Sequence, residues 1–222
     1  MAFQQDGRAI AANQAVEAST KASRVAIVPR TTRSYAVAAT SGIIAAALAA
    51  NSSVFAMRLD PSSDRRAYIE RMRVQINTLT AFTTPVTAGR RLALFRGSGA
   101  AASGGTALTA ANKWTAEAAT SEFLTANGGD IRISSTGALT VTGITYETTS
   151  LREMSMAHIG ASGGFVEYLI DFAASESCPV ILEPGQLLAI RNPVLMDAAG
   201  TFQVSVSVDW HEAFGLGDST SE

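Results

Sequence analysis

Few residues of this 222-residue chain have side chains suited to catalysis or metal binding. His158 and His211 are its only histidines, and Cys178 is its only cysteine. This composition excludes an intrachain disulfide, a multi-cysteine metal site and a zinc site built from several histidines. A Ser-His-Asp set would need one of the two histidines, and neither lies in a recognisable nucleophile motif. We expect His211 to face solvent at a strand end and His158 to lie in a loop.

Two other patterns suggest chemistry at first sight. The glycine-rich segment 97–105, GSGAAASGG, lacks the Lys and Ser or Thr that complete a phosphate-binding loop, because no lysine follows before Lys113. We therefore expect it to be a hairpin loop. Carboxylate pairs such as Glu167 with Asp171 would suit a glycosidase, but most chains of this length contain such pairs. The sequence thus predicts a protein that is not an enzyme and that has no cofactor.

The scaffold that would carry any site shows the periodicity of β-strands. In TFQVSVSVDW, residues 201–210, apolar and polar residues alternate without interruption. Since successive strand side chains point to opposite faces, one face of this strand seeks a core. The apolar side comprises Phe202, Val204, Val206, Val208 and Trp210. A second strand, residues 68–80, alternates in the same way, with Met72, Val74 and Ile76 set against Arg71, Arg73, Gln75 and Asn77.

Further short segments have strand-like sequences, and most are bounded by Gly, Pro, Ser or Asn. These candidates are residues 34–39, 53–59, 90–97, 130–135, 137–143, 164–172, 179–183 and 186–192. Many short strands with hardly any helical periodicity predict an all-β fold, either an antiparallel β-sandwich or a jelly roll. Three segments remain candidates for short helices, namely residues 9–22, 42–50 and 114–124.

The chain divides into three parts by composition. Residues 1–33 predict an extended N-terminal arm, residues 34–214 the β-sandwich, and residues 215–222 a flexible C-terminal tail. The arm has a net charge of +3, and its alanine-rich helix candidate is too short and too weakly apolar to be stable alone. It is either a frayed terminus or a segment that docks on a neighbouring subunit. The basic residues of a docking arm would be Arg8, Lys21, Arg24, Arg30 and Arg33.

Charge is divided unevenly along the chain. Residues 1–96 contain 13 Lys and Arg against 5 Asp and Glu, a net charge of +8, whereas residues 97–222 contain 4 against 14, a net charge of −10. Attraction within one chain and head-to-tail attraction between copies both follow from this division.

Arg71 and Arg73 share a strand face and are candidates for partner binding, since strand-face arginines pair with acids across a sheet or an interface. We do not expect nucleic-acid binding, because no known motif accompanies the basic residues.

Segments that would direct the chain to a membrane are not recognisable. The first 20 residues lack an apolar run after a basic start, and the longest apolar run, residues 42–50, is too short to span a bilayer. Charged residues make up only 16% of the chain, which is typical either of a subunit that buries much of its surface in an assembly or of a genome whose codon bias favours Ala, Gly and Arg. We therefore expect a protein made in a cytoplasm, outside the membrane, that forms a homo-oligomer.

Two long segments carry a resemblance to a known group of proteins. YIERMRVQINTLTAFTTPVTAGRRLALFRGSG (68–99) and GQLLAIRNPVLMDAAGTFQVSVSVDWHE (185–212) resemble structural proteins of tailed-bacteriophage particles. The resemblance covers residues 34–212 and rests on overall pattern. It implies a virion subunit, made in the host bacterial cytoplasm, whose partners are copies of itself and other capsid or tail proteins. A capsid decoration protein is one expectation, and a fibre or collar subunit with a carbohydrate- or receptor-binding sandwich is the other.

Overall fold

Sixteen β-strands and no helix form the part of the chain that the computed structural model describes. That part comprises residues 14–16, 23–25, 33–83, 89–113, 119–124, 128–156, 164–172 and 179–214. The first eight strands are β1 (Gln14–Val16), β2 (Ser23–Val25), β3 (Arg33–Thr40), β4 (Ile44–Ala45), β5 (Ser52–Arg58), β6 (Arg65–Thr80), β7 (Arg91–Gly99) and β8 (Thr106–Ala107). The others are β9 (Ala111–Asn112), β10 (Asp130–Ile133), β11 (Ile144–Tyr146), β12 (Arg152–Ser155), β13 (Gly164–Asp171), β14 (Val180–Leu182), β15 (Gln186–Asn192) and β16 (Thr201–Phe214).

Two antiparallel sheets contain all of these strands except β1 and β2, which pair with each other. The first sheet has the order β13–β6–β16–β3–β9, with β14 beside β6 and β4 beside β16. The second sheet has the order β11–β7–β15–β5–β10–β8, with β12 also beside β7. The apolar inner faces of the two sheets form one core cluster. The predicted antiparallel β-sandwich is therefore confirmed.

The connections between the sheets are those of a jelly roll. Its eight strands in chain order are β3, β5, β6, β7, β12, β13, β15 and β16. By that rank, the first sheet contains them in the order 1-8-3-6 and the second in the order 2-7-4-5. Successive strands thus alternate between sheets, except for the fourth and fifth, and the first strand lies beside the last, as in the double Greek key of a jelly roll.

Strand β16 is the centre of the first sheet, where it pairs with β6 on one side and β3 on the other. Phe202, Val204, Val208 and Trp210 are fully buried, and Val206 is 3% exposed. The intervening Gln203, Ser205, Ser207 and Asp209 are half-buried on the opposite face. The predicted alternation is therefore confirmed, and this strand provides a continuous apolar row of the core.

Strand β6 is 16 residues long, and a bulge keeps its apolar side chains directed into the core along most of that length. Asp209 pairs with Arg71 while Trp210 pairs with Ile69, so Glu70 is the extra residue on β6. Ile69 precedes the bulge and Met72 follows it, and both are fully buried, as an insertion of one residue in the alternation allows. The alternation predicted for Met72, Val74 and Ile76 is confirmed.

The helix prediction for residues 42–50 is wrong. Ile44, Ala46 and Leu48 are buried while the residues between them are exposed, which is the period of an extended chain. Gly42 begins this stretch, and a Cβ there would lie 1.6 Å from the carbonyl oxygen of Ser135. Only glycine allows this close approach of two backbone segments.

Three other segments also differ from expectation. Residues 14–16 of the first helix candidate are strand β1, and residues 119–124 of the last contain a turn rather than a helix; the rest of both segments lies outside the described residues. The candidate strand 137–143 forms only isolated bridges, from Leu139 to Ser53 and from Thr140 to Ser103. Its apolar residue Leu139 packs on the outside of the second sheet, so this segment covers a sheet instead of joining one.

The glycine-rich segment 97–105 is not a hairpin loop, because the strands that flank it, β7 and β8, do not pair with each other. They lie on opposite sides of β15, β5 and β10, so the chain crosses the second sheet between them. Gly99 has φ +120°, and a Cβ on it would lie 2.2 Å from the carbonyl oxygen of Gly143. The glycines therefore serve close backbone contacts over the sheet.

Candidate interaction surfaces

The outer face of the second sheet is covered by the chain itself. Ala56, Leu187 and Ala189 point outward from this sheet and are buried beneath Ala102 and Leu139. Both covering residues come from the segments that connect β7, β8, β10 and β11. This face is therefore largely closed to a partner.

A cluster of ring contacts strengthens that cover. The guanidinium of Arg191 lies 3.8 Å from the ring centre of Tyr146 and 5.2 Å from that of Phe95. The Tyr146 hydroxyl lies 3.0 Å from Ser53 Oγ, and burial raises the pKa of that hydroxyl. Cation–π contacts and a partly buried hydrogen bond thus hold Tyr146, at the end of β11, against the outer face of the sheet.

The outer face of the first sheet is open by comparison. Small side chains form its centre, and a shallow depression of about 290 Å³ lies over them. Across the strands this face consists of Ala36, Ala38 and Thr40 on β3, Gln203, Ser205, Ser207 and Asp209 on β16, Arg71, Arg73, Gln75 and Asn77 on β6, and Phe165, Glu167, Leu169 and Asp171 on β13. The small, uncharged side chains of β3 and β16 at the centre of this face would allow another protein surface to approach closely.

Arg71 and Arg73, the predicted strand-face contacts, both lie on this open face and both have acidic partners on β13. Arg71 forms an ion pair with Asp171 at 3.2 Å, and Arg73 forms one with Glu167 at 2.7 Å. Gln75 also donates a hydrogen bond to Glu167, and these contacts lower the pKa of Glu167, with Arg73 as the main cause. The two arginines are therefore neutralised within the chain.

Of the five basic residues predicted for the arm, the structure describes only Arg24 and Arg33. Arg8, Lys21 and Arg30 lie outside the described residues, and Arg24 belongs to strand β2. Arg33, which we placed at the end of the arm, is the first residue of β3 and pairs with Glu122 at 3.2 Å. It lies opposite the buried Glu212 in the sheet register and so on the inner side, away from Arg71 and Arg73.

The charge division along the sequence is expressed as ion pairs within the chain. Among the described residues, seven arginines of the basic portion, residues 1–96, pair with acids of the acidic portion, residues 97–222. These pairs are Arg33–Glu122, Arg66–Glu183, Arg71–Asp171, Arg73–Glu167, Arg90–Asp197, Arg91–Glu153 and Arg96–Glu147. Much of the opposite charge of the two portions is therefore paired within one chain.

Sequence reasoning missed the exposed apolar side chains of β13. Phe165 is 65% exposed and Leu169 is 64% exposed, and both project from the open face on either side of Glu167. The intervening Tyr168 donates a hydrogen bond to the carbonyl oxygen of Ser155 at 2.6 Å, which ties β13 to the second sheet at β12. Exposed large apolar residues next to neutralised charges are typical of protein interfaces.

The candidate catalytic residues that the structure describes, His211, Glu167 and Asp171, are engaged in ion pairs and ring contacts. His211 Nδ1 lies 2.9 Å from Glu70 Oε1, and its ring stacks on Tyr68 at 4.7 Å between centres. His158 and Cys178 lie outside the described residues. The carboxylates of Glu167 and Asp171 are each engaged by an arginine. Within the described ranges, no three His, Cys, Asp or Glu residues are grouped as metal ligands would be.

No protein-family model matches the sequence, and a search of the curated proteins finds no significant match. Over the described residues, the chain has no helix long and apolar enough to cross a membrane.

Proposed function

We propose that this protein is a non-enzymatic structural subunit of a tailed-bacteriophage particle, which decorates or stabilises the capsid and docks through its N-terminal arm, residues 1–33. The observation that carries this proposal is the contrast between the two sheet faces. The second sheet is covered by its own chain, whereas the first presents a neutral face bordered by Phe165 and Leu169. Jelly rolls are common in viral capsid proteins, and such a face suits protein contacts.

Charge supports the role of the arm. Arg33 pairs with Glu122, and the remaining residues 1–32 have a net charge of +2, which would be attracted to an acidic surface on another copy or on a capsid or tail protein. The order of the arm would come from that partner, because a short alanine-rich segment buries too little apolar area to be stable alone. Copies of the subunit would associate with each other in the particle, which the low content of charged residues favours.

The depression on the open face gives weaker support to the second candidate, a fibre or collar subunit that binds a host glycan. Carbohydrate sites combine polar groups with aromatic rings on which sugars stack. The depression is lined by Ala38, Ala39, Thr40, Arg73, Gln75, Ser205, Val206 and Ser207. These residues include polar groups but no aromatic ring, so we favour the decoration role.

Deletion of residues 1–30 tests the proposal. Particles assembled without this subunit would be mixed with full-length protein, with the arm deletion, or with a control that lacks residues 215–222. We expect the full-length protein and the control to bind the particles, and the arm deletion to bind far more weakly with nearly the same melting temperature. Failure of the full-length protein to bind any such particle would refute the structural role. Normal binding by the arm deletion would refute docking through the arm.

A further inference from the structure

Strand β13 is an edge of the first sheet with an unusual surface. Among the described residues, β6 is the only strand that pairs with it. Its eight residues carry two exposed large apolar side chains, Phe165 and Leu169, which lie two positions before and two positions after Glu167. A long apolar strand edge is a template for pairing with another chain, and soluble proteins normally protect it.

The backbone of β13 has its free groups at these same residues. Phe172 N–H donates to the carbonyl oxygen of Glu70 at 2.8 Å, in the register that pairs Asp171 with Arg71. In an antiparallel ladder, residues that bond to the neighbouring strand alternate with residues whose N–H and C=O point away from it. Counting back from Phe172, the outward-pointing residues include Phe165, Glu167 and Leu169.

The charge at the centre of this edge is already compensated. Glu167 forms an ion pair with Arg73 at 2.7 Å and accepts a hydrogen bond from Gln75. Like charges opposite each other destabilise a strand pair. Because Arg73 accompanies each Glu167, two such carboxylates meeting across an interface would bring two positive charges with them.

We propose that two copies of the chain pair antiparallel through β13 about a twofold axis at Glu167. Phe165 of each copy then lies opposite Leu169 of the other, and the two first sheets become one continuous sheet. A twofold interface uses the same patch on both subunits, so the patch must be complementary to itself. Phe165 and Leu169, at equal distances before and after Glu167, meet this requirement. The inference rests on the proposed function in that it names the surface through which copies associate.

The register follows from the outward-pointing residues. Both partner strands must present their outward-pointing N–H and C=O groups to each other, and these groups occur on every second residue. The allowed registers of one β13 strand against the other therefore differ by two positions. A shift in one direction places Phe165 opposite Glu167, and a shift in the other places Phe165 opposite Asp171 and Leu169 opposite Glu167. Among these three registers, only the one centred on Glu167 puts apolar residues opposite each other on both sides.

A charge placed on the exposed edge tests the interface. Leu169 and Leu195 are exposed to nearly the same extent, 64% and 63%, but Leu195 lies between β15 and β16. We expect sedimentation at increasing protein concentration to show dimers of the wild type and of Leu195→Lys. Leu169→Lys should weaken dimerisation by at least about tenfold, equivalent to about 1.4 kcal/mol. Equal effects of both substitutions, or a monomeric wild type at every concentration, would overturn the inference.

Cross-linking tests the register. In a Cys178→Ser background, Glu167→Cys places a thiol at the twofold axis, where it faces its own copy. Ser207→Cys, on β16 in the middle of the same sheet face, is the control. We expect rapid disulfide-linked dimers for Glu167→Cys and none for Ser207→Cys, because Cα atoms of a hydrogen-bonded pair are about 5.5 Å apart. Equal cross-linking of both, or of neither, contradicts the pairing. Neither experiment involves particles, so its failure is distinct from failure of the structural role.

Discussion

Trp210 Nε1 donates a hydrogen bond to Glu212 Oε1 at 3.0 Å, and both side chains are fully buried at the end of β16. The same carboxylate oxygen accepts a bond from Ser121 Oγ at 2.7 Å, and the backbone N–H of Glu122 donates to the carboxylate as well. Phe123 packs edge-on against Trp210 at 5.3 Å between ring centres. Glu212 therefore fastens the turn at residues 121–124 to the sandwich.

Glu212→Gln should reveal a pH dependence of this contact. Burial raises the pKa of Glu212, although Ser121 and Trp210 oppose the shift by donating hydrogen bonds. Because the folded pKa lies above the unfolded value of about 4.3, the folded state binds more protons between the two values. The free energy of unfolding therefore falls as the pH rises from the unfolded pKa through the folded pKa. The free energy of unfolding of the wild type should therefore fall relative to Glu212→Gln over that range. Denaturant titrations across it measure the difference, and a gap that is constant or moves in favour of the wild type would contradict the prediction.

Substitutions at adjacent positions of β16 test the two sides of the strand. Val206→Asp places an unpaired charge in the core and should cost more than about 4 kcal/mol or prevent folding. Ser205→Asp changes the open face, where the Ser205 hydroxyl lies 2.8 Å from Thr40 Oγ1, and should cost about 1 kcal/mol or less. Thermal and denaturant melting of both variants provides the comparison. Equal tolerance would mean that the alternation does not mark the core.

Two ion pairs that differ in burial provide a third test. Arg90 and Asp197 are both buried and lie 2.9 Å apart, and Arg90 also lies over the ring of Phe82. Asp197→Ala removes the carboxylate that lies against this buried guanidinium and should cost about 3–5 kcal/mol. Glu153→Ala, which breaks the half-exposed pair with Arg91, should cost less than about 1 kcal/mol. Similar costs in denaturant melting would show that burial does not set the strength of these pairs.

Residues such as Val206 and Met72 were predictable because polar neighbours make a period of two visible in the sequence. The same period exists in residues 43–49, but alanine offers little contrast between faces, and the segment was mistaken for a possible helix. In β13 nearly every residue from Phe165 to Ile170 is apolar, so the sequence does not distinguish exposed from buried positions. Here tertiary packing determines the outcome rather than local pattern.

The pairing of strands that lie far apart in the sequence could not be predicted from the sequence either. The opposite charges of the two portions of the chain predicted attraction, but not which residues meet. Arg73 and Glu167 are 94 positions apart, and they meet only because β13 pairs with β6 in one register. That register depends on the whole jelly roll, since a slip of one residue would turn Tyr168 and Ile170, which pack on the core, outward.

Proline substitutions in β13 test the backbone orientation from which the twofold pairing was inferred. Proline has no N–H to donate, so it is tolerated in an edge strand only where that group faces away from the sheet. Leu169→Pro should keep the melting temperature near that of Leu169→Ala and abolish dimerisation. Val166→Pro removes a bond to β6 and should lower the melting temperature well below that of Val166→Ala. Calorimetry and sedimentation of the four variants measure both effects. If Leu169→Pro were the more destabilising proline, the free N–H groups would belong to the even-numbered residues, and the pairing centred on Glu167 would be impossible.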